Sequence, residues 1–262
     1  MTSLTKLKTI MSRLRAPDDG CPWDLRQTMA TIVPHTIEEA YEVADAVETQ
    51  EHTKLPDELG DLLFQVVFLS RLGEEAGTFT LEEVIHNIED KLVRRHPHVF
   101  ASNAGARSDV EVAGHWETLK SNERREAGAS SELDDVPIGL PALSRAAKLQ
   151  KRAARTGFDW PQVEGALEKV AEEHGELLSA IKQQDHAGVA EELGDLMFSV
   201  VNVARHLGND PEQVLRDTNR RFERRFRAVE AQARDTGRKL DELTLDEMEL
   251  LWQAAKKAER NL

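Results

Sequence analysis

Glu172-Glu173-His174-Gly175-Glu176, followed after 15 residues by Glu192-Leu193-Gly194-Asp195-Leu196, is the stretch that decides the fold. Sliding the 262-residue chain against itself by 134 positions lays Glu38-Glu39-Ala40-Tyr41-Glu42 and Glu58-Leu59-Gly60-Asp61-Leu62 on it without a gap. Between residues 38–71 and 172–205, 15 of 34 positions are identical, where average residue usage gives about 2. A period this long means two domains rather than a solenoid.

Outside that block the likeness continues with small slips. Lys91 and Arg95 match Arg221 and Arg225 at a shift of 130, and Trp116-x-x-x-Lys120 matches Trp252-x-x-x-Lys256 at 136. The pattern lapses at Ala127-Gly128-Ala129-Ser130-Ser131 and at Pro137, Gly139 and Pro141, a linker composition. The expected division is therefore an N-terminal domain over 1–126, a linker over 127–141 and a C-terminal domain over 142–262.

Each half reads as helix. Val170, Leu177, Leu178 and Ile181, then Leu193, Leu196, Met197, Val200, Val201 and Ala204, recur at three- and four-residue steps. These stripes are expected to face the core. Breaks are expected at 183–188, at Gly208-Asn209-Asp210-Pro211, with Asp210 as cap, and at Thr236-Gly237. Strand-type alternation is nearly absent, so the fold class is all-α: two tandem helical bundles of about four helices each, joined by short loops.

The repeated acids carry the chemistry. Glu172, Glu173 and Glu176 lie on one helical stripe, and Glu192 and Asp195 share a face of the next helix. With a turn near 183–188, Glu176 and Asp195 stand opposite one another in an antiparallel hairpin. A single such set could be a solvated face. Five acids repeated at identical spacing beside apolar stripes point instead to a cation site, because crowded carboxylates repel unless neutralised. All-oxygen ligands favour Mg²⁺, with Mn²⁺ as the alternative, over zinc. The second, N-terminal metal site is then Glu38, Glu39, Glu42, Glu58 and Asp61.

Composition narrows the field. The formal net charge is −14 and no long basic stripe is present, which argues against nucleic acid as partner. Cys21 is the sole cysteine, so no intrachain disulfide can form. The chain carries no signal-type or membrane-length apolar run, and the expected location is the cytoplasm. His174 reads as core or surface, His96-Pro97-His98 as a helix stop, and Trp23 and Trp160 as core. There is no Gly-rich phosphate loop.

Glu-Glu-x-x-Glu followed by Glu-x-x-Asp resembles the all-α NTP pyrophosphatase superfamily, which includes dimeric dUTPases and phosphoribosyl-ATP pyrophosphatases. The tandem arrangement, with Cys21-Pro22-Trp23-Asp24, Arg95-His96-Pro97-His98-Val99-Phe100 and Gly157-Phe158-Asp159-Trp160, is similar to the MazG family in particular. That resemblance implies hydrolysis of nucleoside triphosphates to monophosphate and pyrophosphate. It assigns Glu173, Glu176, Glu192 and Asp195 to Mg²⁺ and Glu172 to the attacking water. Lys169, Arg221, Arg225 and Lys256 meet phosphate oxygens, Trp252 lies against the nucleotide, and Glu191 joins the nucleotide contacts. It also implies a homodimer. In the N-terminal copy His35 stands where Lys169 does, so the C-terminal domain is expected to carry most of the activity. Gly188 departs from relatives that hold a basic residue there.

Two other readings fit parts of the pattern. An oxidative di-metal bundle would need Glu-x-x-His, and here the fourth position is Asp61 or Asp195. A non-catalytic nucleotide-binding or interaction module would keep the fold without turnover.

Overall fold

The computed structural model describes residues 3–100, 109–126 and 128–259, without the side chains of 109–113 and 117. These residues form helices with no strand among them: α1 (Ser3–Leu14), α2 (Pro22–Arg26), α3 (Met29–Glu48), α4 (Leu55–Ala76), α5 (Leu81–Arg95), α6 (Pro97–Phe100), α7 (Asp109–Glu126), α8 (Ala142–Ala154), α9 (Val163–Gln183), α10 (His186–His206), α11 (Pro211–Asp235) and α12 (Leu245–Glu259). Two compact units result, Met1–Leu119 and Lys120–Leu262, with the division inside α7. Each has more elements than the roughly four helices expected: the short α2 and α6 flank the main hairpin of the first unit, and α8, α11 and α12 accompany that of the second. None of the described helices is long and apolar enough to cross a membrane.

Local chemistry sets the boundaries. Thr80 and Glu83 form a reciprocal capping box at the start of α5. Asp210 accepts from the N–H groups of Glu212 and Gln213 ahead of α11, and Pro211 occupies its first position. Gly77, at φ 65, takes the left-handed position that ends α4. His96 ends α5, the stop role expected of that segment.

In the first unit Met11, Ile32, Val67, Phe68, Leu72 and Leu81 make the core. Buried Arg15 donates to the Asp24 carbonyl and, through Nε and Nη2, to Glu75, tying α1 to α2 and α4. In the second unit the buried apolar residues are mostly small: Ala166, Ala180, Val201, Val229, Ala233 and Ala255. Buried Arg152 donates to the carbonyls of Glu132 and Asp134. Asp134 in turn accepts from the N–H groups of Ser130 and Ser131 at 2.7 and 2.8 Å. The Gly/Ser/Pro-rich segment is thus pinned to α8, with Val136 buried.

The apolar stripes are only half covered. Val201 is buried, but Leu193, Met197 and Val200 on α10 are exposed, as are Leu178 and Ile181 on α9. The equivalent α4 residues Leu59, Leu63 and Val66 are exposed too. This corrects the expectation that the stripes face the core. Each stripe is wider than the neighbouring helices of its unit can cover.

Candidate functional site: duplicated carboxylate hairpins

In the second unit, α9 ends as Gln184 turns left-handed at φ 58, and Asp185 caps α10 by accepting from the Gly188 N–H at 3.1 Å. This two-residue connection folds α9 and α10 back on each other. Glu173 and Glu176 project from α9 and Glu192 from α10, and one oxygen from each lies within 4.8 Å of the others. Glu173 is buried. Lys169 Nζ donates to Glu173 Oε1 at 2.6 Å and to Glu172 Oε1 at 2.9 Å. Those two bonds, Glu173's first, raise the lysine pKa and keep it charged.

The electrostatics are those of crowded acids. Partial desolvation, then the charge of Glu173, pushes the Glu176 carboxyl above its ordinary range. Desolvation, then Glu176, Glu173, Asp195 and Glu191, does the same to Glu192. Asp195 stays exposed and outside the close trio, although its charge reaches Glu192. Glu172 and Glu191 are also exposed and outside it. The close trio thus brings Glu192 to Glu173 and Glu176. His174 is on the surface.

In the first unit the close trio is Glu39, Glu58 and Asp61. These positions correspond to Glu173, Glu192 and Asp195. Between them the two copies use the four positions expected of the C-terminal site, while the first Glu of each motif, including Glu38 of the expected N-terminal site, joins neither trio. Glu42 lies beside its trio, with its carboxyl raised by desolvation and then by Glu39. His35 Nδ1 approaches Glu38 at 3.6 Å. Carboxylates this close, from two helices, fit a hard divalent cation.

Besides Lys169 on α9, the cationic residues expected at the phosphates sit on α11 and α12. Arg225 Nε donates to Glu259 at 2.7 Å, and its guanidinium lies 5.9 Å from the Trp252 ring. Arg221 donates to Thr218 Oγ1 at 2.7 Å. Lys256 lies one turn beyond Trp252 and is half-buried. Phe222 packs 5.3 Å from Trp252. Glu259, which pairs with both Arg224 and Arg225, was not singled out by sequence. Its only signal is its position seven residues after Trp252, two turns along the helix.

In the first unit Trp116 Nε1 donates to the Arg95 carbonyl at 2.8 Å. Trp23 and Trp160, expected in the core, are both 46% exposed. Trp23 lies on the five-residue α2 and edges onto His35 at 5.9 Å. Trp160 roofs Gly165 so closely that a Cβ there would meet the ring at 2.8 Å. Both tryptophans thus cover helices from outside.

Comparison with known proteins agrees with this arrangement. The MazG nucleotide pyrophosphohydrolase domain matches twice, at residues 27–100 and 162–229, once in each unit. A nucleoside triphosphate pyrophosphohydrolase of Escherichia coli is 47% identical over the whole of both chains. The nucleoside triphosphate pyrophosphohydrolase/pyrophosphatase MazG of Thermotoga maritima is 40% identical over 96% of this chain and 94% of its own. A nucleoside triphosphate pyrophosphohydrolase of Mycolicibacterium smegmatis is 34% identical over 62% of this chain and 49% of its own. Two matched copies of one helical domain, each built around its own carboxylate hairpin, place the chain in the MazG family of nucleotide pyrophosphohydrolases.

Proposed function

We propose that this chain hydrolyses nucleoside triphosphates to the monophosphate and pyrophosphate with Mg²⁺, mainly in the unit that holds α9 and α10, within a C-terminal domain over 142–262. The observation that carries this reading is the trio Glu173, Glu176 and Glu192 with Lys169 on the same helical face. Glu173, Glu176, Glu192 and Asp195 hold the cation. When bound, Mg²⁺ neutralises triphosphate charge and polarises the phosphorus to be attacked. Glu172, outside the trio but tethered through Lys169, accepts the proton of the attacking water. Lys169 then meets phosphate charge, and Arg221, Arg225 and Lys256 receive the leaving pyrophosphate. Water supplies the new P–OH bond as the α–β anhydride bond breaks. Trp252, beside Arg225, offers a flat face to the nucleotide.

The expected products are equimolar monophosphate and pyrophosphate, resolved by anion-exchange chromatography or ³¹P NMR. Diphosphate with orthophosphate would defeat the assignment.

The uncovered α10 stripe supports a homodimer, and the proposed location is the cytoplasm. Leu193, Met197 and Val200 are four and three residues apart, lie on one helical face and are all exposed. A second copy would remove them from water. Light scattering is expected to give twice the 29.4 kDa chain mass. Met197→Glu with Val200→Glu should shift the protein toward monomer. A wild-type monomer at micromolar concentration rules the dimer out.

A further inference from the structure

Arg124 and Arg125 stand side by side in the last turn of α7, and the chain then doubles back over them. Gly128, at φ 90, takes a left-handed conformation that a side chain would resist. Its N–H donates to the Arg125 carbonyl at 3.0 Å, and the Ala129 N–H donates to the Arg124 carbonyl at 2.9 Å. This paired closure satisfies carbonyls that a helix end would otherwise leave open, and it brings residues 129–132 back toward the final turn. Between them lies a cavity of about 120 Å³, lined by Ser121, Arg124, Arg125, Ser130, Ser131 and Glu132 among others. It belongs to the second unit, falls between the two family-matched segments and shares no residue with either carboxylate trio.

The lining is unbalanced in charge, with two arginines against one carboxylate. Arg125 Nη2 donates to Glu132 Oε1 at 3.0 Å. Arg124 Nη2 stands 3.8 Å from Glu132 Oε2, beyond hydrogen-bonding reach. That nitrogen is buried with no hydrogen-bond partner among the described residues, on a side chain only 12% exposed. A buried charged donor left unpaired is costly, and a guanidinium is the group best shaped to grip carboxylate or phosphate oxygens. The Arg125 hydrogen bond, ahead of the charges of Arg125, Arg124 and Arg155, holds the Glu132 carboxyl below its usual range although desolvation opposes it. The place already favours an anion, and Glu132 satisfies it only in part.

The facing wall is held in place. Buried Arg152 donates to the Glu132 carbonyl, and Asp134 accepts from the N–H groups of Ser130 and Ser131. The Leu133 N–H donates to Ser131 Oγ at 3.1 Å, which leaves the serine O–H to donate elsewhere. In size the cavity far exceeds the roughly 10–15 Å³ that one water needs. It falls well short of the roughly 300 Å³ at which pockets for drug-sized ligands begin. Its dimensions and its donors suit a single tetrahedral oxyanion.

We propose that this cavity is an oxyanion site that takes inorganic phosphate, with Arg124, Arg125 and the Ser131 hydroxyl as donors and Glu132 as the carboxylate it displaces. Phosphate brings more acceptor oxygens than one carboxylate, so both arginines are paired at once. It joins the end of α7 to residues 129–132 and stabilises the folded chain by mass action. The site needs no metal and is independent of the proposed hydrolysis.

The test titrates inorganic phosphate into the full chain in chelator at fixed ionic strength, followed by isothermal titration calorimetry. Saturable binding is expected in the wild type. Arg125→Gln should weaken it by about tenfold, the worth of a hydrogen bond to a charged group. Glu132→Gln removes the competing carboxylate and should tighten it by a similar factor, a gain that a merely structural ion pair would not give. The Arg125 side chain is 68% exposed, so the fold should tolerate its replacement, and far-UV circular dichroism checks both variants. Arg225→Gln on α11 should leave the affinity unchanged, and adenosine monophosphate should bind more weakly than phosphate for want of room. No saturable binding in either wild type or Glu132→Gln overturns the proposal, and so does a Glu132→Gln affinity no tighter than wild type or an undiminished one in Arg125→Gln. Binding lost in Arg225→Gln but kept in Arg125→Gln would put the phosphate on α11 and overturn it too. Adenosine monophosphate binding more tightly than phosphate, and losing that affinity in Arg125→Gln, would overturn free phosphate as the occupant.

Discussion

Glu176→Ala is expected to reduce turnover by on the order of 10³ or more, because it removes a cation ligand from the reacting centre. The same change should not harm the metal-free fold. Desolvation and the neighbouring Glu173 raise the Glu176 carboxyl from its usual 4.5. A carboxyl whose folded pKa is raised favours folding below the unfolded value. That contribution disappears as pH rises through the folded value. In chelator, the wild type should therefore lose stability, relative to Glu176→Gln, as pH rises from about 4.5 toward neutrality. Added Mg²⁺ should restore it in the wild type by mass action. Thermal unfolding at pH 5 and pH 7, with and without Mg²⁺, checks the sign. A large drop in the apo melting temperature of Glu176→Gln would show that the acids are structural.

The second large effect separates the halves. Glu176→Ala should remove most of kcat, whereas Glu42→Ala should leave most of it. Lys169 lies within hydrogen-bonding distance of both Glu172 and Glu173, so a permanent charge stands where triphosphate charge develops. His35 offers its copy only a 3.6 Å approach to Glu38. Losing a charged contact of this kind costs about 2.7–4 kcal/mol, or roughly 10²–10³ in rate. Lys169→Ala should show that loss in kcat with helicity unchanged. Equal losses from Glu42→Ala and Glu176→Ala would mean that both sites turn over or that each needs the other. A dead Glu42→Ala beside an active Glu176→Ala would reverse the ranking.

The carboxylate hairpins were legible from residue spacing because helix geometry is local. Three- and four-residue steps put Glu173 and Glu176 on one face, and Asp210 before Pro211 announces the start of α11. The gapless repeat carried the same inference to Glu39, Glu58 and Asp61.

Other features needed the packed molecule. Periodicity says which residues share a face but not whether a neighbour covers it, so Leu193, Met197 and Val200 read as core and lie exposed. It puts Glu192 and Asp195 on one face but does not choose between them, because that choice depends on how α10 rolls against α9 and where long side chains settle. By itself, then, the sequence determined two helical hairpins and the faces their acids share, since backbone hydrogen bonding and side-chain spacing act within a few residues. Tertiary structure alone decided which carboxylates converge, which stripes stay open and where the two copies part, since those depend on contacts between segments far apart along the chain.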